Sequence, residues 1–412
     1  MTTATPSGQG AFASLRIPAF RWWFFAQTLS GSGGLAQTVG TAWLVLRLTG
    51  SGIDLGLLTA ALFTPVLLGG ASAGALLDRV DHRRALIATN ATSCVLALLL
   101  ASLTASGAIR VWMVFAVTVA NGVVLAFDQP ARQLYVVELV GRDRVQSAVG
   151  LYEVIVNASR VVGPAVGGAL IATLGVAACF YANALGFVPA VLVLLRFRPG
   201  GHAVVPAIRA SVREGLAYVR RTPAIVACLL IAGASGMVFS IGVALPVLAS
   251  RDFGLGGGGY GALVTVFGVG ALPGGYAAAR SGGAPRGRLI RLLCLVTAAA
   301  VLGVACAPQA AVGFVFMAVL GFASIWLIAL ANTLVQLQPE PHLRGRVMGV
   351  WTAVLPGLNP VTGVAAGAVT QLAGPREGFG LAGLALVAAA ALGWRPLGAH
   401  DGKESTGRPA LT

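Results

Sequence analysis

The chain alternates between long apolar stretches and short polar segments in which arginine recurs. Twelve of the apolar stretches are about long enough to cross a bilayer as helices. The polar segment at 197–222 separates six of these stretches from the other six. The pattern predicts an all-α membrane protein with twelve transmembrane helices, whose parts are a tail at 1–19, an amino-terminal six-helix bundle at 20–196, a linker at 197–222, a carboxy-terminal six-helix bundle at 223–395 and a tail at 396–412.

The linker carries an amphipathic pattern of its own. Ile208, Val212, Leu216 and Val219 recur at helical spacing, on a different face from the arginines of the same segment. This predicts a short helix that lies on the cytoplasmic membrane surface and joins the two bundles. A lipid-sensing role is an alternative that the pattern does not favour.

The composition excludes a soluble globule, because 57% of the residues are hydrophobic, 10% are charged and the mean hydropathy is +0.85. The net charge of +15 does not indicate nucleic-acid binding, because the arginines lie in loops between predicted spans. With both termini cytoplasmic, the outer side retains only Arg47, Arg110, Arg251 and Arg376. This asymmetry predicts a multi-pass protein of the cell (inner) membrane, with the lipid bilayer as a partner.

The fifth predicted span contains the stretch from Gly150 to Gly168, which combines glycines with polar residues. Glu153, Asn157, Arg160 and Pro164 fall within one narrow arc at helical spacing. The glycines let a neighbouring helix approach closely, and the proline bends the helix where the two meet. An ionisable residue inside a membrane span indicates a functional site, since its burial in lipid is costly.

This stretch resembles the antiporter signature on the fifth helix of exporters of the major facilitator superfamily. The matching residues are Gly150, Gly163, Pro164, Gly167 and Gly168, with Ser159 in place of one glycine. The resemblance implies twelve helices in two pseudo-symmetric six-helix bundles, with a solute site between the bundles.

The loop after the second predicted span is similar to the conserved basic loop of the same superfamily. Gly74, Asp78, Arg79 and Arg83 match it, and Asp81 replaces a glycine, as in the branch that includes the enterobactin exporter. In that family the loop forms a latch between helices that opens during transport. An ordinary basic cytoplasmic loop is the alternative. The corresponding loop of the second half lacks the aspartate, so only half of the latch is present.

Glu153 is the only acid that the sequence places clearly within a span, because the fourth span is expected to end at residue 127. We expect Glu153 to be the proton-coupling residue, with Arg160 adjusting its proton affinity. A static ion pair that stabilises the bundle is the alternative.

Other residues in the spans have side chains suited to contact a lipophilic or amphipathic solute. No cofactor or metal is expected, since the histidines all fall on the cytoplasmic side and the cysteines lie singly in apolar runs. Each residue taken alone is more typical of helix packing. The candidates for a substrate cavity are Gln27, Gln37, Asn121, Asn157, Asn332, Gln336, Asn359 and Trp351.

The sequence therefore predicts a transporter and not an enzyme. We expect a monomer that exports a lipophilic drug-like or siderophore-like molecule by alternating access, with protons as the coupling ion. One alternative is uptake or facilitated diffusion of a small metabolite on the same fold. Another is a membrane sensor or assembly partner that does not transport.

Overall fold

The computed structural model describes residues 13–77, 80–141, 144–198, 212–239, 242–281, 285–355 and 357–406. Within these ranges the chain is all-α, as predicted. A turn of 3₁₀ helix at Ala13–Arg16 precedes the first α-helix. The α-helices are α1 (Pro18–Thr49), α2 (Gly52–Leu77), α3 (His82–Ala105), α4 (Val111–Val140), α5 (Val145–Thr173), α6 (Val176–Arg196), α7 (Val212–Arg221), α8 (Pro223–Phe239), α9 (Ala244–Val247), α10 (Gly257–Arg280), α11 (Gly287–Ala305), α12 (Ala310–Leu337), α13 (Pro341–Val354), α14 (Asn359–Leu372) and α15 (Pro375–Thr406).

Ten helical segments of the described chain are long and apolar enough to cross a membrane. They include Leu343–Leu372, which covers parts of both α13 and α14. A shorter apolar helix covers Pro223–Val238 within α8. Together with the long helix α1, these segments correspond to the twelve predicted spans.

Two predicted spans are interrupted. The seventh, expected at 223–249, consists of α8, the short α9 and a π-helical turn at Leu248–Asp252. Pro246 lies within this region and has no backbone N–H to continue a regular helix. The eleventh, expected at 347–372, is divided between α13 and α14, and Pro360 lies in the first turn of α14, where a proline is tolerated.

The chain forms two compact units. The first contains Met1–Leu44 and Thr64–Ala207. In this unit α3 packs against α4 and α6. Its core at one end buries Phe20, Trp23 and Tyr135 among aliphatic side chains of α2 to α6.

The second unit contains Val45–Phe63 and Ile208–Thr412. Here α10 packs against α12, and α15 packs against α8 and α11. The first half of α2 belongs to this unit and contacts α14 through glycines of both helices, Gly52 and Gly56 on α2 and Gly363 and Gly367 on α14. We call these four residues the glycine seam.

Within the predicted linker, the described helix is α7, and residues 199–211 lie outside the described ranges. Val219 of α7 is buried, and the Tyr218 hydroxyl donates to the Gln338 carbonyl oxygen at 3.4 Å. The Glu214 carboxylate pairs with Arg346 of α13. One face of the linker helix therefore packs on protein within the second unit.

Candidate functional site

The glycines of α5 lie against α1. A Cβ atom on Gly163 would lie 2.6 Å from the Cβ of Leu35 and 2.7 Å from the Ser32 carbonyl oxygen. A Cβ atom on Gly167 would lie 3.0 Å from the Cα of Ala36. The two backbones approach so closely that a side chain at either glycine would force them apart.

Ser159 occupies the position at which the antiporter signature has a glycine. Its side chain is buried, and its hydroxyl lies 3.4 Å from the Thr28 carbonyl oxygen, to which it donates. A Cβ atom on Gly31 of α1 would lie 2.7 Å from the Ser159 hydroxyl oxygen. The serine therefore fits only because the glycine on α1 leaves room for it.

The remaining residues of the signature differ in their surroundings. Pro164 and Gly168 are buried, and Pro164 lies inside the continuous helix α5. Gly150 is exposed, and a Cβ atom there would meet nothing within 4 Å. Close helix packing accounts for the second half of the signature and not for Gly150.

The polar arc of α5 is only partly buried. Glu153 is exposed, and Arg160 is half-buried. The two charges interact electrostatically, but the described contacts include no ion pair between them. The Asn157 side-chain amide donates to the Glu153 carbonyl oxygen at 2.8 Å, so Asn157 is held by its own helix.

A buried ion pair that the sequence analysis did not include lies in α4. The structure continues α4 to Val140, beyond the predicted end at residue 127, and Asp128 is only 8% exposed. Its carboxylate pairs with Arg132 and accepts a hydrogen bond from the Thr89 hydroxyl of α3 at 2.9 Å. Arg132 also donates to the side-chain oxygen of Gln27 on α1. We call Gln27, Thr89, Asp128 and Arg132 the polar cluster.

The expectation that Glu153 is the only acid within a span is therefore wrong. Asp128 lies inside a helix that is long and apolar enough to span a membrane. The helix continues past Pro130 because Ala131 and Tyr135 pack into the core of the first unit. The spacing of Asp128 and Arg132, four residues apart, was the signal in the sequence, since such a pair lies on one face of a helix.

The polar cluster has more hydrogen-bond donors than acceptors. Gln27 is 1% exposed, and its side-chain nitrogen has no hydrogen-bond partner in the structure. The same holds for Nε of Arg132 and for the indole nitrogen of Trp23, one turn before Gln27 on α1. Trp23 stacks on Tyr152 of α5, with ring centroids 6.3 Å apart. Buried polar groups are normally paired, and these three donors are exceptions among the described residues.

The remaining cavity candidates are distributed over both units. In the first, Gln37 accepts a hydrogen bond from Asn183 at 2.8 Å, and Asn121 donates to the Val117 carbonyl oxygen of its own helix. In the second, Gln336 donates to Asn332 at 3.3 Å on the same face of α12. Trp351 is buried at 4% exposure, and Asn359 is half-buried with a side-chain oxygen that has no partner.

The predicted latch is described only in part. Asp78 and Arg79 lie outside the described residues, and Gly74 belongs to the last turns of α2. Arg83 donates to the carbonyl oxygens of Leu194 and Leu195 at the end of α6, at 2.5 and 3.0 Å.

Two neighbours of Arg83 also bind the start of α3 to its surroundings. Asp81 caps α3 by accepting from the backbone N–H of Arg84 at 3.1 Å. His82 contacts the Glu138 carboxylate of α4 at 2.6 Å. The described part of the loop thus connects the ends of α3, α4 and α6.

Among the described residues, no group of three or more His, Cys, Asp or Glu side chains is placed to bind a metal ion. The five cysteines are all free thiols.

Comparison with known families decides the class of protein. The sequence model of the transmembrane secretion effectors, a family of the major facilitator superfamily, matches residues 9–406. The chain belongs to this family. As a transmembrane secretion effector it is a multi-pass membrane transporter and not an enzyme.

Named relatives of this major facilitator transporter include efflux proteins. It is 27% identical to the multidrug efflux pump Tap of Mycolicibacterium fortuitum, over 86% of this chain and 90% of Tap. It is also 27% identical to the enterobactin exporter EntS of Shigella boydii, over 85% of this chain and 84% of EntS.

A solved structure shares the fold. A bacterial homologue of the human lysosomal transporter Spinster, in an inward-facing and unoccupied conformation, matches this transporter with a TM-score of 0.71 at 15% identity. The match covers 95% of this chain and 98% of the homologue.

Proposed function

We propose that this transporter exports a lipophilic drug-like or siderophore-like small molecule and that a proton gradient drives the export. The observation that carries the proposal is the antiporter-like helix α5, whose Gly163 and Gly167 pack tightly on α1. The names of two relatives, a multidrug efflux pump and an enterobactin exporter, support the same direction of transport.

The predicted substrate-cavity residues of the second unit support a lipophilic substrate. Asn332, Gln336, Asn359 and Trp351 are uncharged, and the first three lie on helices that are otherwise mostly apolar. Apolar surroundings with a few polar groups suit an amphipathic molecule better than a sugar phosphate. We propose these residues as solute contacts of the second unit, and Gln27, Gln37, Asn121 and Asn157 as solute contacts of the first unit.

Proton coupling requires a group that gains a proton on one side of the membrane and loses it on the other. Glu153 is proposed for this exchange, because it is a carboxylic acid on the antiporter-like helix and its side chain is exposed. Arg160 lies on the same face of α5 and interacts electrostatically with Glu153. Alternating access then requires that proton and solute bind the inward-open and outward-open states with different affinities.

We further propose that both termini are cytoplasmic and that the chain acts as a monomer in the inner membrane. The excess of arginine in the predicted cytoplasmic segments supports this orientation.

The test is the accumulation of lipophilic fluorescent dyes in efflux-deficient bacterial cells that express the protein or carry the empty vector. Lower accumulation in the expressing cells, reversed by a protonophore, is expected. Unchanged accumulation of every dye would contradict broad drug export, and higher accumulation would indicate uptake.

A further inference from the structure

Two apolar grooves of the second unit meet at Leu392 of α15. The first has a volume of about 800 Å³ and is lined by α11 and α15, through Leu295, Val387, Ala391, Leu392, Trp394 and Arg395. We call it the arginine groove. The second has a volume of about 560 Å³ and is lined by α8, α14, α15 and the end of α13, through Leu230, Met237, Leu358, Ala388 and Leu392. We call it the aliphatic groove.

Both grooves lie on a helix that is long and apolar enough to cross a membrane, in the segment Pro375–Ala399. Leu392, which lines both grooves, is 67% exposed, and Val387 is also exposed. An exposed apolar face on a membrane-spanning segment contacts acyl chains and not water. The chemical environment of the grooves is therefore lipid.

The arginine groove changes from apolar to charged along α15. Arg395 is eight residues beyond Val387, which is about 12 Å along the helix. Arg395 also follows Ala391 by four residues and Ala388 by seven, so it shares a helix face with the lining of both grooves. A cation near the end of a spanning helix lies at the depth of the lipid headgroups, where it attracts anionic lipids.

Neighbouring charges leave Arg395 available to a ligand. The Arg291 guanidinium lies 4.7 Å from the ring centroid of Trp394 and pairs with the Asp401 carboxylate at 3.7 Å. Asp401 also accepts from two backbone N–H groups at the start of α11, at 2.6 and 2.8 Å. Arg395 is exposed, and the described contacts include no ion pair or hydrogen bond of its side chain.

We propose that an anionic phospholipid binds at α15, with its phosphate on Arg395 and one acyl chain in each groove. A diacyl lipid has one charged end and two chains, which matches one available cation next to two apolar grooves that meet at Leu392. Trp394 lines the groove at headgroup depth, where indole rings are favoured. The lipid belongs to the leaflet that contains this end of α15. A soluble anion could use Arg395 but would leave both grooves empty.

Native mass spectrometry of the purified full-length protein in detergent tests this proposal without a transported solute. The protein is titrated with dioleoyl phosphatidylglycerol or with dioleoyl phosphatidylcholine, which have the same acyl chains and differ in net charge. The wild type is expected to bind one molecule of the anionic lipid about fivefold more tightly than the zwitterionic one. Arg395→Gln is expected to remove this preference.

Ala391→Phe separates the groove from the charge. The exposed alanine lines the arginine groove, so a phenylalanine there should fill part of the groove and weaken the binding of both lipids while Arg395 is kept. Binding of both lipids to Ala391→Phe as to the wild type would overturn the proposal, because the chains would then not occupy the groove. Arg395→Gln should keep the wild-type denaturation midpoint in lipid-free detergent, since the side chain makes no described polar contact.

Arg196→Gln is the matched control, because Arg196 is an exposed arginine in the last turn of α6. This variant should keep the wild-type preference for the anionic lipid. The proposal is overturned if Arg196→Gln loses as much of the preference as Arg395→Gln, or if the wild type binds the two lipids equally. Glycerol 3-phosphate should not displace the anionic lipid, and displacement at similar concentration would indicate a site for a soluble anion instead.

Discussion

Gly367 on α14 lies directly against Gly52 on α2, so closely that a Cβ atom on Gly367 would be 2.8 Å from the Gly52 carbonyl oxygen. Gly56, one turn later on α2, meets Gly363, one turn earlier on α14. The side chain of Gln371 accepts a hydrogen bond from the Gly52 backbone N–H at 2.8 Å. Both helices carry their glycines four residues apart, the spacing that allows helix backbones to touch in a membrane.

The glycine seam predicts a strong effect of a side chain at Gly56. Gly56→Leu should lower the free energy of unfolding by about 1–3 kcal/mol, because the leucine would meet the backbone of α14. Gly70→Leu on the same helix is the matched control, since a Cβ atom there would meet nothing within 4 Å. Thermal denaturation of the purified proteins in detergent measures both. Equal midpoints for the two variants would show that the close approach in the seam is not important for stability.

Two glycines of the antiporter-like motif on α5, one packed and one in open space, allow a second matched comparison of substitutions. Gly163→Ala should destabilise the protein by about 1–3 kcal/mol, because its Cβ would overlap backbone atoms of α1. Gly150→Ala should be neutral or stabilising by up to about 1 kcal/mol, because the position is helical and open and alanine favours the helix. Thermal denaturation midpoints and dye export are measured for both variants. A lower midpoint for Gly150→Ala than for Gly163→Ala would refute the packing role of Gly163.

Glu153→Gln addresses the proposed exchange of protons with water. The variant cannot release a proton at this position, so export driven by a pH gradient should fall about tenfold. Dye exchange without a gradient should continue, because Glu153 is exposed and the described contacts include no ion pair between it and Arg160. Dye fluxes in proteoliposomes separate the two activities. Unchanged gradient-driven export would remove Glu153 from the coupling mechanism.

The hydrogen bonds of Arg83 to the end of α6 are expected to stabilise the folded protein. Arg83→Gln removes a cation that donates to two carbonyl oxygens at the end of α6, which should cost about 1 kcal/mol of stability. Arg84→Gln is the control, because the Arg84 side chain is 85% exposed and its ion pair with Asp81 is weak. A lower denaturation midpoint for Arg83→Gln alone is expected. Similar midpoints for both variants would count against a capping role.

The sequence was sufficient to predict the all-α class and the close packing of α5, because these follow from hydrophobic length and from the positions of glycine. Gly163 and Gly167 lie where the helical spacing placed them, against another helix. The partner helix could not be predicted, since glycine spacing does not specify which helix approaches. Gly150 looked equivalent in the motif, yet it has open space around it.

The polar cluster was missed because the end of α4 was inferred from hydropathy. Asp128 and Pro130 both interrupt the apolar pattern, and each is typical of a helix end. Core packing of Tyr135 and the ion pair with Arg132 continue the helix across that interruption. Local propensity is overridden here by tertiary contacts, which a single sequence does not contain.

The ion pair of Asp128 and Arg132 also has an electrical consequence. With Asp128 ionised, the polar cluster carries no net charge, because one negative and one positive side chain cancel and Gln27 and Thr89 are neutral. Without the charge of Asp128, the positive charge of Arg132 is uncompensated. A membrane potential therefore exerts no net force on the paired cluster, whereas it acts on the uncompensated charge by up to about 2.3 kcal/mol per 100 mV if that charge crosses the whole field.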